Sequence, residues 1–346
     1  TGRAAEMGLL FRKGTALEAL ARADTVVLDK TGTLTRGKPT LVRVLPFGLS
    51  QEEALRLAAA LERGSEHPLA KAVLEAAESL PQAQAEEVRA LPGEGVEGRV
   101  EGRRLHLGGP ALMERLGVPL PEEAKALPEE GYTPLYLVEG TRLLAAFAVF
   151  DPPRPEAQEA VAALKALGLK LVLLTGDHPA PARRVAEALG IPEVLAGVRP
   201  EGKVEAIRRL QAEGRKVVFV GDGINDAAAL AQADVGLAMG SGTDIALEAG
   251  DVVLLTPDLR GVVNAVRLAR RTLRTIYLNF FWAYAYNVVL IPVAAGALYP
   301  FTGLLLNPML AAAAMSLSSL FVLTNSLRLR AFRPQALPSL NPAASS

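Results

Sequence analysis

From Thr275 to Leu327 the chain runs for 53 residues without an Asp, Glu, Lys or Arg. A bilayer core takes about 20 apolar residues per helix, so a run of this length holds two spans. It divides into Ile276–Leu298, a Tyr-Pro-Phe-Thr-Gly turn at Tyr299–Gly303, and Leu304–Leu327. Arginines flank both outer ends and none lies near the turn. The positive-inside rule then puts both ends in the cytoplasm. Tyr277, Phe280, Phe281 and Trp282 crowd the start of the first span, as in an interfacial belt. A buried soluble hairpin would need neither this length nor this freedom from charge.

The charge balance separates the same region from the rest. The chain carries 37 basic and 37 acidic residues, yet none of the acidic ones follows Asp258. Eight arginines and no lysines lie in the last 88 residues, giving +8 there and −8 in the first 258. Two environments are implied. A strongly basic nucleic-acid binder is excluded, and no nucleic-acid partner is expected. Disorder is excluded too, because half of the residues are hydrophobic. There are no cysteines, which rules out disulfides, zinc fingers and a thiol nucleophile in this chain.

The first 258 residues alternate apolar runs with amphipathic stretches. Thr25–Asp29, Lys170–Thr175, Lys216–Gly221 and Val235–Met239 read as buried strands. Pro155–Leu167, Pro181–Leu189 and Pro200–Ala212 read as helices opened by proline. This alternation predicts an α/β fold with a doubly wound parallel sheet, whose ligands bind beyond the carboxyl ends of the strands. Those ends carry Asp29, Thr175-Gly176-Asp177 and Gly221-Asp222-Gly223. The long stretch between the first strand and the others has its own helices, Ser50–Arg63 and Leu69–Ser79, and glycine-rich strand-like pieces. It reads as an inserted α+β domain, left through the proline-stiffened Asp151-Pro152-Pro153-Arg154-Pro155. The expected division is 1–40, the start of the first domain; 41–149, the insertion; 150–258, the rest of the first domain; 259–330, the membrane pair; and 331–346, a disordered tail.

Asp29-Lys30-Thr31-Gly32-Thr33-Leu34-Thr35 is the centre of the chemistry. A carboxylate at a strand end can attack a γ-phosphoryl group, and the glycine turn after it offers N–H groups to phosphate oxygens. The seven residues resemble the phosphorylation signature of the P-type ATPases, within the haloacid-dehalogenase-like superfamily. The resemblance implies an aspartyl phosphate on Asp29. Phosphatases of that superfamily place an acid two residues after the nucleophile; here Thr31 stands there, which implies a long-lived acyl phosphate. Thr175-Gly176-Asp177 is similar to the family's second phosphate-binding motif, and Lys203 to the lysine that neutralises the phosphoryl charge. Gly221-Asp222-Gly223-Ile224-Asn225-Asp226 resembles the magnesium motif. It implies Mg²⁺ on Asp222, Asp226, the Asp29 carboxylate and the Thr31 carbonyl.

In the insertion, Ser65-Glu66-His67-Pro68-Leu69 and Gly93-Glu94-Gly95-Val96-Glu97-Gly98 resemble the nucleotide-binding domain of the heavy-metal (CPx-type) branch. That implies ATP with Glu66, His67, Gly93 and Gly95 around the adenine. Alone, His67 could be a helix-start residue on the surface. His106 and His178 match no motif and read as ordinary. Tyr286-Asn287 and Met315 to Ser319 resemble the last two helices of copper(I)-transporting members. That implies Tyr286, Asn287, Met315 and Ser319 as ligands of a transported Cu⁺, although small and hydroxylic residues also serve as helix packing. Softness favours a monovalent ion on the thioether. The resemblance implies an ATP-driven copper exporter of the plasma membrane with cytoplasmic soluble domains. It also implies that the actuator domain and a Cys-Pro-Cys helix lie in an upstream half of the same pump. The alternatives are a soluble phosphohydrolase of the superfamily and a pump for another metal such as zinc.

Overall fold

The computed structural model describes residues 4, 6–65, 67–223, 226–240, 250–294, 316–317, 319–320 and 323–324 of the chain. It divides into two compact units, 27–206 and a second made of 1–26 with 207–346.

The unit 27–206 holds a six-stranded antiparallel sheet. Its spatial order is Thr40–Pro46, Arg142–Phe150, Thr133–Glu139, Arg103–Gly108, Gly95–Val100, Ala85–Leu91. Side chains alternate between the faces of a strand, so neighbouring residues enter different cores. Leu137 joins Leu57, Leu61, Val73 and Phe147 in the core with the helices Gln51–Glu62 and Pro68–Ala76. Tyr136 and Val138 point the other way, against Leu112 and Met113 of the helix Pro110–Leu116. With both faces covered, the middle strands read as continuous apolar runs. The Tyr136 hydroxyl donates to the carbonyl of Ala124 at 2.8 Å. The outer strand Ala85–Leu91 is exposed, charged and broken by a bulge between Glu86 and Arg89, features that discourage edge pairing. Ser50 caps the first helix, its hydroxyl accepting from the Glu53 amide at 3.1 Å.

The rest of this unit carries the strand that ends at Asp29, with Lys170–Leu174 beside it and Glu193–Leu195 parallel to the latter. The helices Ala157–Ala166 and Pro179–Leu189 connect them.

In the other unit the strands lie in the order Leu9–Phe11, Val252–Leu254, Val235–Met239, Val217–Gly221. The last three are parallel, as the strand–helix alternation predicts. Leu9–Phe11 is antiparallel, so the sheet is mixed. Three residues next to a turn gave no periodicity from which to expect it.

The helix Arg260–Ala294 contains residues 276–294 of the expected first span. The charge-free run starts it at Ile276, whereas the helix begins 16 residues earlier. Its first turns are buried on nearly every side, Val262, Val263, Val266 and Ala269 among them, and the helix packs on the helix Gly14–Arg22. Each such aliphatic side chain contributes about 1.5–3 kcal/mol. Among the described residues this is the helix long and apolar enough to cross a membrane, and its apolar stretch is uncovered. The Tyr299–Gly303 turn lies outside the described residues. So does most of the second span, of which residues 316–317, 319–320 and 323–324 are helical and exposed.

Candidate active site

Asp29 ends a strand whose five residues are all buried. It is only 4% exposed, and Lys203, at the start of the helix Lys203–Ala212, is 8% exposed. Lys203 Nζ lies 3.1 Å from Asp29 Oδ1. An isolated buried charge costs several kcal/mol, a cost that this pairing offsets for both groups.

The turn after Asp29 is shaped by Gly32, at φ +81° and ψ −9°, in the left-handed region that a side chain avoids. Thr31 is exposed, with Thr33 and Leu34 buried behind it. Residues from the far end of the insertion fasten this turn. Arg154 Nε donates to the Thr33 carbonyl at 2.8 Å and its Nη2 to the Gly32 carbonyl at 3.3 Å. The Arg154 amide donates to the Leu34 carbonyl at 2.9 Å, and the Thr35 hydroxyl donates to Asp151 at 2.6 Å. The sequence reading took Asp151 to Pro155 as a stiff hinge. It missed that two of its side chains build the loop, because nothing in a Pro-rich stretch says where its charged residues reach.

Thr175 is buried directly after its strand, and its hydroxyl accepts from the Asp177 amide at 3.1 Å. Gly176 is exposed beside it. The Asp177 carboxylate forms an ion pair with Lys30. Asp177 thus ties the second motif to the first.

A cavity of about 790 Å³ opens in the same unit. Its lining includes Glu62, His67, Gly93, Gly95 and Gly108, together with Gly176, Asp177 and His178. Glu66 lies outside the described residues. His67 is the N-cap of the helix Pro68–Ala76, its Nδ1 accepting from the Leu69 amide at 3.2 Å. The surface helix-start alternative is therefore what its Nδ1 does, while the ring also faces the cavity. Glu62, which the sequence reading passed over, is a buried carboxylate in the cavity's lining. It is 9% exposed, and burial pushes its pKa up to about 7. The available signal was its place at the end of the apolar helix Gln51–Glu62.

Gly93 sits at φ +73° with open space beside it. Gly95 is required for a different reason: a Cβ there would lie 2.1 Å from the Leu107 carbonyl oxygen. Crowding between strands already accounts for this glycine. His106 pairs with Glu97 at 2.9 Å across two strands, an ordinary structural contact.

In the other unit, Asp222 and Asp226 follow the strand Val217–Gly221, half-buried and buried respectively. A Cβ on Gly221 would come within 2.8 Å of Asp226 Oδ2, so glycine gives that carboxylate its room. Tyr286 and Asn287 lie on the long helix. The Tyr286 hydroxyl is buried without a hydrogen-bond partner among the described residues, and Asn287 is exposed. Ser319 is helical and exposed, and Met315 lies outside the described residues.

The family profile of the haloacid dehalogenase-like hydrolases matches residues 23–234, from just before Asp29 to beyond Asp226. The chain belongs to that family. Within it the chain is related to heavy-metal P-type ATPases. It is 51% identical over 340 residues to copper-transporting ATPase 1 of Rhizobium meliloti (strain 1021), covering 96% of this chain and 41% of the relative. The chain thus spans about two fifths of that relative's length. Among solved structures it resembles a zinc-transporting PIB-type ATPase in the E2.Pi state. The TM-score is 0.73 and the identity 39%, over 95% of this chain and 53% of that one. It also resembles the catalytic domain of the CPx-ATPase CopB-B, with TM-score 0.62 and 28% identity, over 77% of this chain and 98% of that one.

Proposed function

We propose that this haloacid dehalogenase-like chain is the phosphorylating, nucleotide-binding and C-terminal membrane part of an ATP-driven heavy-metal pump, with copper(I) as cargo. The observation that carries the reading is the buried pair of Asp29 and Lys203, 3.1 Å apart at the end of an apolar strand. A carboxylate presented at a strand end can act as a nucleophile, and a lysine beside it can share the charge that arrives with a phosphoryl group.

In this mechanism ATP lies in the cavity, its base among Glu62, His67 and Gly93 and its phosphates toward Thr175 and Gly176. An Asp29 oxygen attacks the γ-phosphorus, the bond to the β-phosphate oxygen breaks, and ADP leaves with that electron pair. The acyl phosphate waits for water, because Thr31 offers no carboxylic acid where a phosphatase has one. The two carboxylates after Val217–Gly221 are hard oxygen donors and suit Mg²⁺. Asp222 and Asp226 would hold that ion, which supplies charge neutralisation for the phosphoryl group when bound. Arg154, Asp151 and the Lys30–Asp177 pair hold the loop in place.

Copper(I) is favoured by the curated relative's name and by the uncharged run, where a divalent ion would leave uncompensated charge in low dielectric. The zinc-transporting structural neighbour supports zinc as the second reading. The pump would sit in the plasma membrane with its soluble units in the cytoplasm. The test is ATPase activity of the complete pump with copper(I), silver(I), zinc(II) and cadmium(II). Stimulation by the monovalent ions supports copper. Activation by zinc alone overturns the cargo, and absence of a hydroxylamine-labile phosphoenzyme overturns the pump.

A further inference from the structure

The cavity is entered by two histidines held in the same way. His67 caps the helix Pro68–Ala76 and His178 caps the helix Pro179–Leu189; each is followed by proline, and each accepts at Nδ1 from the amide two residues on, at 3.2 Å. A nitrogen that accepts carries no proton. The neutral ring must therefore hold its proton on Nε2, and that N–H has no protein partner among the described residues. The cap fixes both the tautomer and the ring's direction. Both histidines belong to the lining of the one cavity.

His178 lines the cavity beside Gly176, toward which the proposed function places the phosphates. Asp177 beside it would repel them, but its carboxylate is engaged by Lys30. The imidazole N–H adds a donor for an anion beside Gly176. The geometry points to His178 as a nucleotide-binding residue whose Nε2–H donates to a phosphate oxygen of ATP, with His67 at the base. The inference rests on the nucleotide reading of this cavity and adds a ligand to it.

The discriminating measurement is calorimetric titration of ATP and of adenosine into the full chain in detergent. His178→Ser keeps a good N-cap and stops short of the cavity. ATP affinity falls about tenfold in this variant, as expected for losing one hydrogen bond to a charged group. Adenosine affinity stays within about twofold, since one hydrogen bond is lost from the phosphates alone. His178→Asn, another good cap, serves as the second variant if the serine protein does not fold. Unchanged ATP affinity, or equal loss for ATP and adenosine, overturns the phosphate contact. Failure of the unaltered chain to bind either ligand, or undiminished adenosine binding in Glu62→Ala, overturns instead the nucleotide reading beneath it.

Discussion

Gly95 and Gly108 face each other across two antiparallel strands, and neither has room for a Cβ. One added to Gly95 would lie 2.1 Å from the Leu107 carbonyl oxygen, and one added to Gly108 would lie 2.2 Å from that of Glu94. Gly93, two residues before, has open space and only a left-handed φ to defend. Overpacking a rigid backbone costs about 1–3 kcal/mol, and an alanine in the left-handed region about 1. Gly95→Ala and Gly108→Ala therefore loosen the sheet much more than Gly93→Ala. Hydrogen exchange at the amides of Arg103–Gly108 measures it. Equal protection in all three variants would remove the packing explanation.

The Asp29–Lys203 pair gives two separable outcomes. Asp29→Asn in the complete pump abolishes the acid-stable, hydroxylamine-labile phosphoenzyme formed from ATP. Lys203→Ala withdraws the ammonium from a buried carboxylate and lowers stability by about 3–5 kcal/mol. Lys203→Met, which fills the space without a charge, withdraws it too and stays well below the unaltered chain. Thermal unfolding of the full chain checks both substitutions. Labelling that persists in Asp29→Asn would move the nucleophile elsewhere.

The elements around Asp29 were legible because buried strands announce themselves. Thr25–Asp29, Lys170–Leu174 and Val217–Gly221 are apolar runs that end in chemistry-bearing residues. What was not legible were reach and pairing. Arg154 lies 122 residues from Gly32 in sequence, and no local pattern links them. Glu62 ends a largely apolar helix, but sequence does not show that its last turn is buried. The glycines of Gly93 to Gly98 were visible as a motif, but only the register of Gly95 on Gly108 shows which of them the sheet itself demands. His178 read as ordinary because a cap depends on a ring nitrogen and a neighbouring amide, which sequence does not orient.

Glu62 makes stability depend on pH in a direction opposite to that of an ordinary salt-bridged carboxylate. Its pKa rises from 4.5 to about 7 because burial disfavours the charged form. The native state then binds more protons than the unfolded chain between those values. Stability contributed by this group falls as pH rises from about 4.5 to about 7, and the loss persists above. Glu62→Gln is therefore more stable than the unaltered chain at pH 8, by on the order of 3 kcal/mol, and no more stable at pH 4. Thermal unfolding at both pH values decides it. A gain that is the same at pH 4 and pH 8 would mean that the charge is not the cause.

Arg154 fixes the turn that follows Asp29. Its guanidinium spans two carbonyls, of Gly32 and Thr33, and its own amide binds a third, of Leu34. Lysine has one compact ammonium and cannot span the first two at once. Arg154→Lys keeps the charge and the backbone bond but frees one end of the turn. A hydrogen bond from a charged donor contributes about 1.5–3 kcal/mol. If only part of this is spent on aligning the loop for attack, phosphoenzyme formation in the complete pump slows about tenfold. ATP affinity measured by titration stays unchanged, because the cavity is lined by other residues. Rapid-quench labelling with saturating ATP separates the two effects. A normal labelling rate would mean that Gly32 and the Thr35–Asp151 bond hold the loop without Arg154, and equal loss of affinity and rate would place its effect on the nucleotide instead.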